Sequence, residues 1–203
     1  MTAALCTGFL MGSIAANVAA IALEVRRIRL LDRLLADLDS VSEAELARSD
    51  DLVVSFTLAQ LVLFLISAVL FMWWFQVTYR ALHRTSTGGL RHSPGWALGA
   101  WLVPFLNLVR PVQMVADAWR AASWKPAGPP TPRLVAAWWT LWLLVNVSTG
   151  VAAGLDADTL SAVRSATQFA VLGDALFVVA GILAVMVVVG LTGRIVQRIA
   201  AEA

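Results

Sequence analysis

Four apolar stretches, each close to the length of a membrane-crossing helix, restrict this chain more than any other feature. They run from about Ala3 to Val25, Leu52 to Val77, Leu134 to Leu155 and Phe169 to Thr192. A bilayer core about 30 Å thick takes roughly 20 helical residues at 1.5 Å each. Amides and carbonyls left unpaired in hydrocarbon are too costly to persist, so such runs are expected as α-helices. Of the 203 residues, 60% are hydrophobic and 14% charged, whereas an ordinary soluble domain carries about 25% charged residues. The expected fold class is an all-α membrane protein. A single polytopic domain over residues 1–203 is expected, because the connections between the runs are too short to fold alone.

The amino-terminal sequence MTAALCTGFLMGS lacks a positive stretch ahead of its apolar run and is expected to be a retained span rather than a cleaved signal. Cys6 is the single cysteine, so no intrachain disulfide can form and no thiolate metal spacing exists. The formal charge is +2, with no basic stripe carrying interleaved aromatics, which argues against a nucleic-acid partner. At the end of the second run Trp73, Trp74, Phe75 and Tyr79, followed by Arg80 and Arg84, read as an interfacial aromatic belt.

A charged connector, about residues 24–51, joins the first two spans. It holds Arg26, Arg27, Arg29, Arg33 and Arg48 with eight acids, while Ile28, Leu31, Leu34, Leu35, Leu38 and Val41 recur at helical spacing. An amphipathic helix continuing out of the first span is expected, its apolar stripe packing on its own domain or meeting a partner. Ser42 with Glu45 fits a capping box that opens a short helix into the second span.

The unusual segment is Arg91 to Ser123, RHSPGWALGAWLVPFLNLVRPVQMVADAWRAAS. Trp96 to Val109 is an apolar run of 14 residues, short for a span and long for a loop. Pro104 removes a backbone donor inside it, Asn107 and Arg110-Pro111 end it, and an amphipathic helix is expected from Pro111 to Ala122 with Arg110 and Asp117 on one face. A Pro-broken re-entrant or interfacial helical hairpin fits best, giving four spans plus a hairpin with five spans as the alternative. Charge bias divides the two. With four spans and a cytoplasmic amino terminus, nine Lys and Arg lie inside against six outside; with five spans and an outside amino terminus, eleven against four. Length and the two prolines favour four spans and both termini in the cytoplasm. The Pro-rich stretch Lys125 to Pro132 reads as an extended hinge.

Polar residues at membrane depth are functional candidates by default. Asp174 reads as a carboxylate near the headgroups or as a partner for Arg110 or Arg133 that holds the hairpin in place. Asn146 reads as amide glue between helices, and Gly8/Gly12, Gly95/Gly99 and Gly150/Gly154 as close-packing pairs. His83 and His92 lack companions at ligand spacing, so no metal or cofactor is expected. No HExxH, GxSxG or paired-aspartate signature appears, so no catalytic residue is assigned.

The segment resembles a bacterial membrane family, the domain-of-unknown-function family 4328. The resemblance rests on Tyr79-Arg80-Ala81, Pro94 to Ala97, Val103 to Pro111, Trp119 to Ser123 and Trp138-Trp139, and covers about Leu52 to Arg194. Leu82-His83-Arg84 stands where that family often has Asn-Leu. The resemblance implies a multi-pass protein of the plasma membrane and no particular activity.

The candidate residues are Pro94, Gly95, Trp96, Pro104, Asn107, Arg110, Pro111, Trp119, Arg120, Trp138 and Trp139, with Asn146 and Asp174 as intramembrane polar groups. Trp96, Trp101, Trp119 and Trp124 are expected to anchor the hairpin at the interface, Asn107 to bond carbonyls freed at the break, and Arg110 to meet lipid phosphate or an acidic partner. The expected function is non-enzymatic binding of membrane lipid, or of another membrane protein, through residues 91–123. A small transporter or channel-like module is the alternative, because broken helices line transport sites; an intramembrane enzyme resting on Asp117, Asp174 and the histidines is the remote one. Oligomeric state is not legible.

Overall fold

The computed structural model describes residues 1–85, 89–123, 132–155 and 158–202. Trp124 and the stretch from Lys125 to Thr131 lie outside the described residues. The chain is all-helical: α1 (Thr2–Ala36), α2 (Glu43–Thr85), α3 (Trp96–Leu102), α4 (Arg110–Ala121), α5 (Arg133–Gly154) and α6 (Leu160–Glu202), with no strand among the described residues. Four of these, α1, α2, α5 and α6, are long and apolar enough to cross a membrane. The first, second and fourth expected runs lie inside helices that overrun them, while the third, Leu134 to Leu155, matches α5 to within one residue at each end. α2 has 43 residues, about 64 Å of helix, and its polar ends continue well past an apolar core.

The connector explains the overrun. α1 carries its amphipathic face out to Ala36, and the chain reverses in a 3-10 turn at Leu38–Ser40, where the Asp37 carboxylate accepts from the Asp39 amide at 3.1 Å. Ser42 then caps α2, its Oγ accepting from Glu45 N at 3.2 Å. The reciprocal half of the expected capping box is absent, because the Glu45 side chain pairs with Arg33 instead. Nor is the capped helix a short one: with no proline or glycine between Glu43 and Thr85, nothing stops it.

The chain packs as two compact units, and each long helix contributes a segment to both. One unit comprises Gly12–Phe64 and Leu141–Gly181. Leu31 and Leu34 of the connector stripe are buried in it, with Leu30 beside them, while Leu35 and Leu38 of the stripe are exposed. Ser148 of α5 donates to the Phe169 carbonyl of α6 at 2.8 Å, and Ile14 of α1 meets Gly181 of α6 where a Cβ would stand 2.8 Å from its side chain. Only 6% of the most apolar window of α2 is buried. Val54, Leu58, Leu61, Leu65 and Val69 form an exposed apolar stripe at three- and four-residue spacing, which suits a helix solvated by acyl chains.

The second unit comprises Met1–Met11, Leu65–Thr140 and Ile182–Ala203. Its core joins Trp74, Phe75, Tyr79 and Leu82 of α2 to Ala97 and Ala100 of α3, Met114 to Ala118 of α4, and Val187, Val188 and Leu191 of α6, all buried. The expected aromatic belt is therefore corrected. Trp73 alone of the four is outward, 49% exposed, while Trp74, Phe75 and Tyr79 are buried. Trp74 donates from Nε1 to Thr192 at 3.1 Å, so its polar edge has a partner inside the protein rather than among headgroups.

Candidate functional site

The segment 91–123 folds as two short helices around a break, all within the second unit. Pro104 sets the break. Val103, the residue before it, is extended at φ −89°, ψ 117°, the conformation imposed on a residue that precedes proline. The chain then turns through Phe105 at φ 63° and a 3-10 turn at Leu106–Leu108 before α4 starts at Arg110 with Pro111 in its first turn, where proline loses nothing. Phe105 occupies left-handed backbone that disfavours any side chain, at a cost of about 1–3 kcal/mol.

This geometry places an apolar tip outward. Phe105 is 85% and Leu102 74% exposed, with Val103, Leu108 and Val109 beside them. Trp139 of α5 reaches the break and donates from Nε1 to the Leu108 carbonyl at 3.0 Å. That is the role the sequence reading assigned to Asn107. The Asn107 Oδ1 is instead buried without a hydrogen-bond partner among the described residues.

Charge closes the base of the segment. Asp117 is fully buried, and Arg91 grips its carboxylate with Nε at 2.9 Å and Nη2 at 3.0 Å, while Arg120 one turn along α4 completes the cluster. These hydrogen bonds raise the Arg91 pKa above the ordinary guanidinium value. Asp117 is thus partnered by Arg91 and Arg120 rather than by Arg110. Arg110 stacks on the Trp96 ring, 3.9 Å from its centroid.

Two arginines of α6 hold the same segment. Arg194 lies 4.3 Å from the Trp119 ring centroid and donates to Ser123 Oγ at 2.7 Å. Arg198 donates to the Ala121 carbonyl and, at 3.5 Å, to the Thr85 carbonyl. One guanidinium therefore touches the last residue of α2 and the last residue of α4. Trp119 lies against Gly190 of α6, where a Cβ would stand 2.8 Å from the ring. Gly190 belonged to none of the small-residue pairs picked from sequence. Gly8, Gly12, Gly95, Gly150 and Gly154 have nothing within 4 Å of an added Cβ, and Gly99 meets its own helix at Trp96.

The remaining candidates are dispersed. Trp138 and Trp139 are buried side by side, packed on Phe71 and Trp101 respectively. Pro94 and Gly95 form the turn that starts α3, Pro94 O accepting from Ala97 N at 3.2 Å. Asn146 is exposed and donates within its own helix to the Trp142 carbonyl, which corrects the interhelical reading. Asp174 accepts from Gln60 at 3.1 Å rather than from Arg110 or Arg133. With α6 beginning at Leu160, Asp174 lies about four turns into the helix, not near its start. His83 meets the His92 carbonyl at 2.8 Å, and among the described residues no three His, Cys, Asp or Glu side chains gather as metal ligands would.

Four helices able to cross a membrane, with a proline-broken helical pair clasped against them inside one unit, fit the class of multi-pass α-helical membrane proteins. The chain belongs to the DUF4328 family, a domain of unknown function, whose model matches residues 37–193. The match begins at Asp37 rather than at the expected Leu52, so the turn between α1 and α2 is part of the family's domain. No curated protein and no solved structure matches the chain.

Proposed function

We propose that this chain is a non-enzymatic protein of the plasma membrane that binds lipid, or another membrane protein, through the hairpin at residues 91–123, with both termini cytoplasmic. The observation that carries the proposal is the tip: Phe105 and Leu102 are held outward by a strained turn whose freed carbonyl is already taken by Trp139. A freed carbonyl taken from within lowers the cost of carrying an apolar loop into hydrocarbon; the same loop in water exposes two large side chains without return. Arg198 supports a re-entrant path, because it reaches Thr85 and Ala121 at the two ends of the segment. On that path the chain has four spans and the hairpin returns to the side it left.

Two measurements test the proposal. In a Cys6→Ser background, single cysteines at Arg84 and Arg133 are expected to label from the same side of the membrane; labelling from opposite sides would make the segment a fifth span. In proteoliposomes containing a photoactivatable phospholipid, cross-links are expected to fall on the peptide around Leu102 to Val109, and Leu102→Ser with Phe105→Ser should reduce them at least about fivefold, a burial difference of roughly 1 kcal/mol or more. Unchanged capture with helicity retained refutes the reading. One atom favours a transporter instead: a buried, unpartnered Asn107 Oδ1 beside a helix break is the kind of group that meets an ion or substrate. Ion flux in the same proteoliposomes, abolished by Asn107→Leu, would decide for it.

A further inference from the structure

The first unit, far from the hairpin in sequence, carries a half-open cavity of about 340 Å³ between α1 and the start of α2. Five arginines line it: Arg26, Arg27, Arg29 and Arg33 from α1 and Arg48 from α2. Glu45 is the carboxylate among the lining residues, and it is spent on Arg33. Asp50 pairs with Arg27 at 2.9 Å, and Asp32 is paired with Arg164 of α6. The acids that balance the connector in composition therefore do not balance it in space. Arg26, Arg29 and Arg48 have no carboxylate partner among the described residues.

Guanidinium groups gathered around one cavity repel each other over about 8 Å at physiological salt. An anion in the cavity removes that repulsion, and the planar fork of arginine matches the paired oxygens of a phosphate. The cavity also has a second chemistry. Leu23 and Leu30 of α1 with Leu52 and Val53 of α2 line it, and Leu52 begins the apolar run of α2. Both helices pass from charged to apolar sequence beside this one cavity, which is where a headgroup meets its acyl chains.

We infer that the cavity between Arg26, Arg29, Arg33 and Arg48 binds a phosphoryl anion, carried by an anionic phospholipid or free as a soluble phosphate. The site is separate from the hairpin, and either can fail without the other.

The test uses the full chain in two arms. In the first, protein equilibrated with mixed phosphatidylcholine and phosphatidylglycerol vesicles is examined by native mass spectrometry for retained lipid. In the second, protein in phosphatidylcholine nanodiscs is heated in inorganic phosphate or in chloride at equal ionic strength. The site predicts either a preference for phosphatidylglycerol of roughly tenfold or more, which assigns a lipid source, or a phosphate-dependent rise in unfolding temperature, which assigns a soluble one. Arg26→Gln with Arg29→Gln and Arg48→Gln should abolish whichever effect is seen, while the hairpin variant Leu102→Ser with Phe105→Ser should leave it unchanged. If the triple variant loses helicity, Arg29→Gln alone is read, with a loss of roughly threefold expected. Neither effect in the wild type, or an effect that survives the arginine variants, overturns the site.

Discussion

The hairpin at 91–123 and the turn joining α1 to α2 use the same cation in opposite ways. In the hairpin region every arginine that touches the segment has a partner supplied by the fold: Arg91 and Arg120 on Asp117, Arg110 on Trp96, Arg194 on Trp119 and Ser123. At the turn, three of the five arginines around the cavity have none among the described residues. An arginine given a protein partner is part of the architecture, and removing it or its partner costs stability. An arginine left without one adds little to stability and holds its charge in reserve for something else.

That contrast can be broken most forcefully at Asp117. Replacing it with alanine strips a fully buried carboxylate from two guanidinium groups, and removal of one member of a buried pair costs 3–5 kcal/mol in general. Arg91 is 54% exposed and can rehydrate, so a loss of about 2–3 kcal/mol is expected, read as a lower unfolding temperature in detergent with faster proteolysis after Thr85. A loss under 1 kcal/mol would put the clasp among ordinary surface ion pairs. Next in size is Gly190→Val. The added atoms meet Trp119, and overpacking of this kind costs about 1–3 kcal/mol. A second change, Trp119→Leu, should recover part of that loss; an additive double variant would show that the contact is not the cause. The smallest effect is expected at Arg29→Gln, within about 0.5 kcal/mol of the parent. A larger loss would mean that the turn's arginines are structural too, and the two regions alike.

The sequence disclosed the elements whose signals are local. Apolar runs of membrane length, the proline at 104 and the cap at Ser42 each act on their own few residues, and the structure has a helix, a break and a cap at those places. Which face of a helix is covered depends on what packs there, and that is decided by distant sequence. Trp74, Phe75 and Tyr79 read equally well as a belt or as a core until they are seen buried, with Trp74 bonded to Thr192 of α6 and Tyr79 to the His92 carbonyl. Arg91 is 26 residues from Asp117 and on no common helix, so no helical periodicity could pair them. Gly190 had no second glycine at the usual interval, and only a close-packed indole gives it meaning. The acids of the connector concealed its arginines, because composition counts charges and a cavity counts directions.

The arginines of α6 also set an order of events. Arg194 lies 71 residues after the Ser123 that it binds, and a ribosome adding about 5–20 residues each second needs roughly 4–14 s to make that stretch. During those seconds the broken segment has been made and the helix that will pin it has not. The contacts open to it then are its own, the stack of Arg110 on Trp96 and the clasp of Arg91 on Asp117, which needs only α4 to close. The hairpin is thus assembled twice, first by its own charges as a provisional shape, then by a late-made helix that makes the shape permanent.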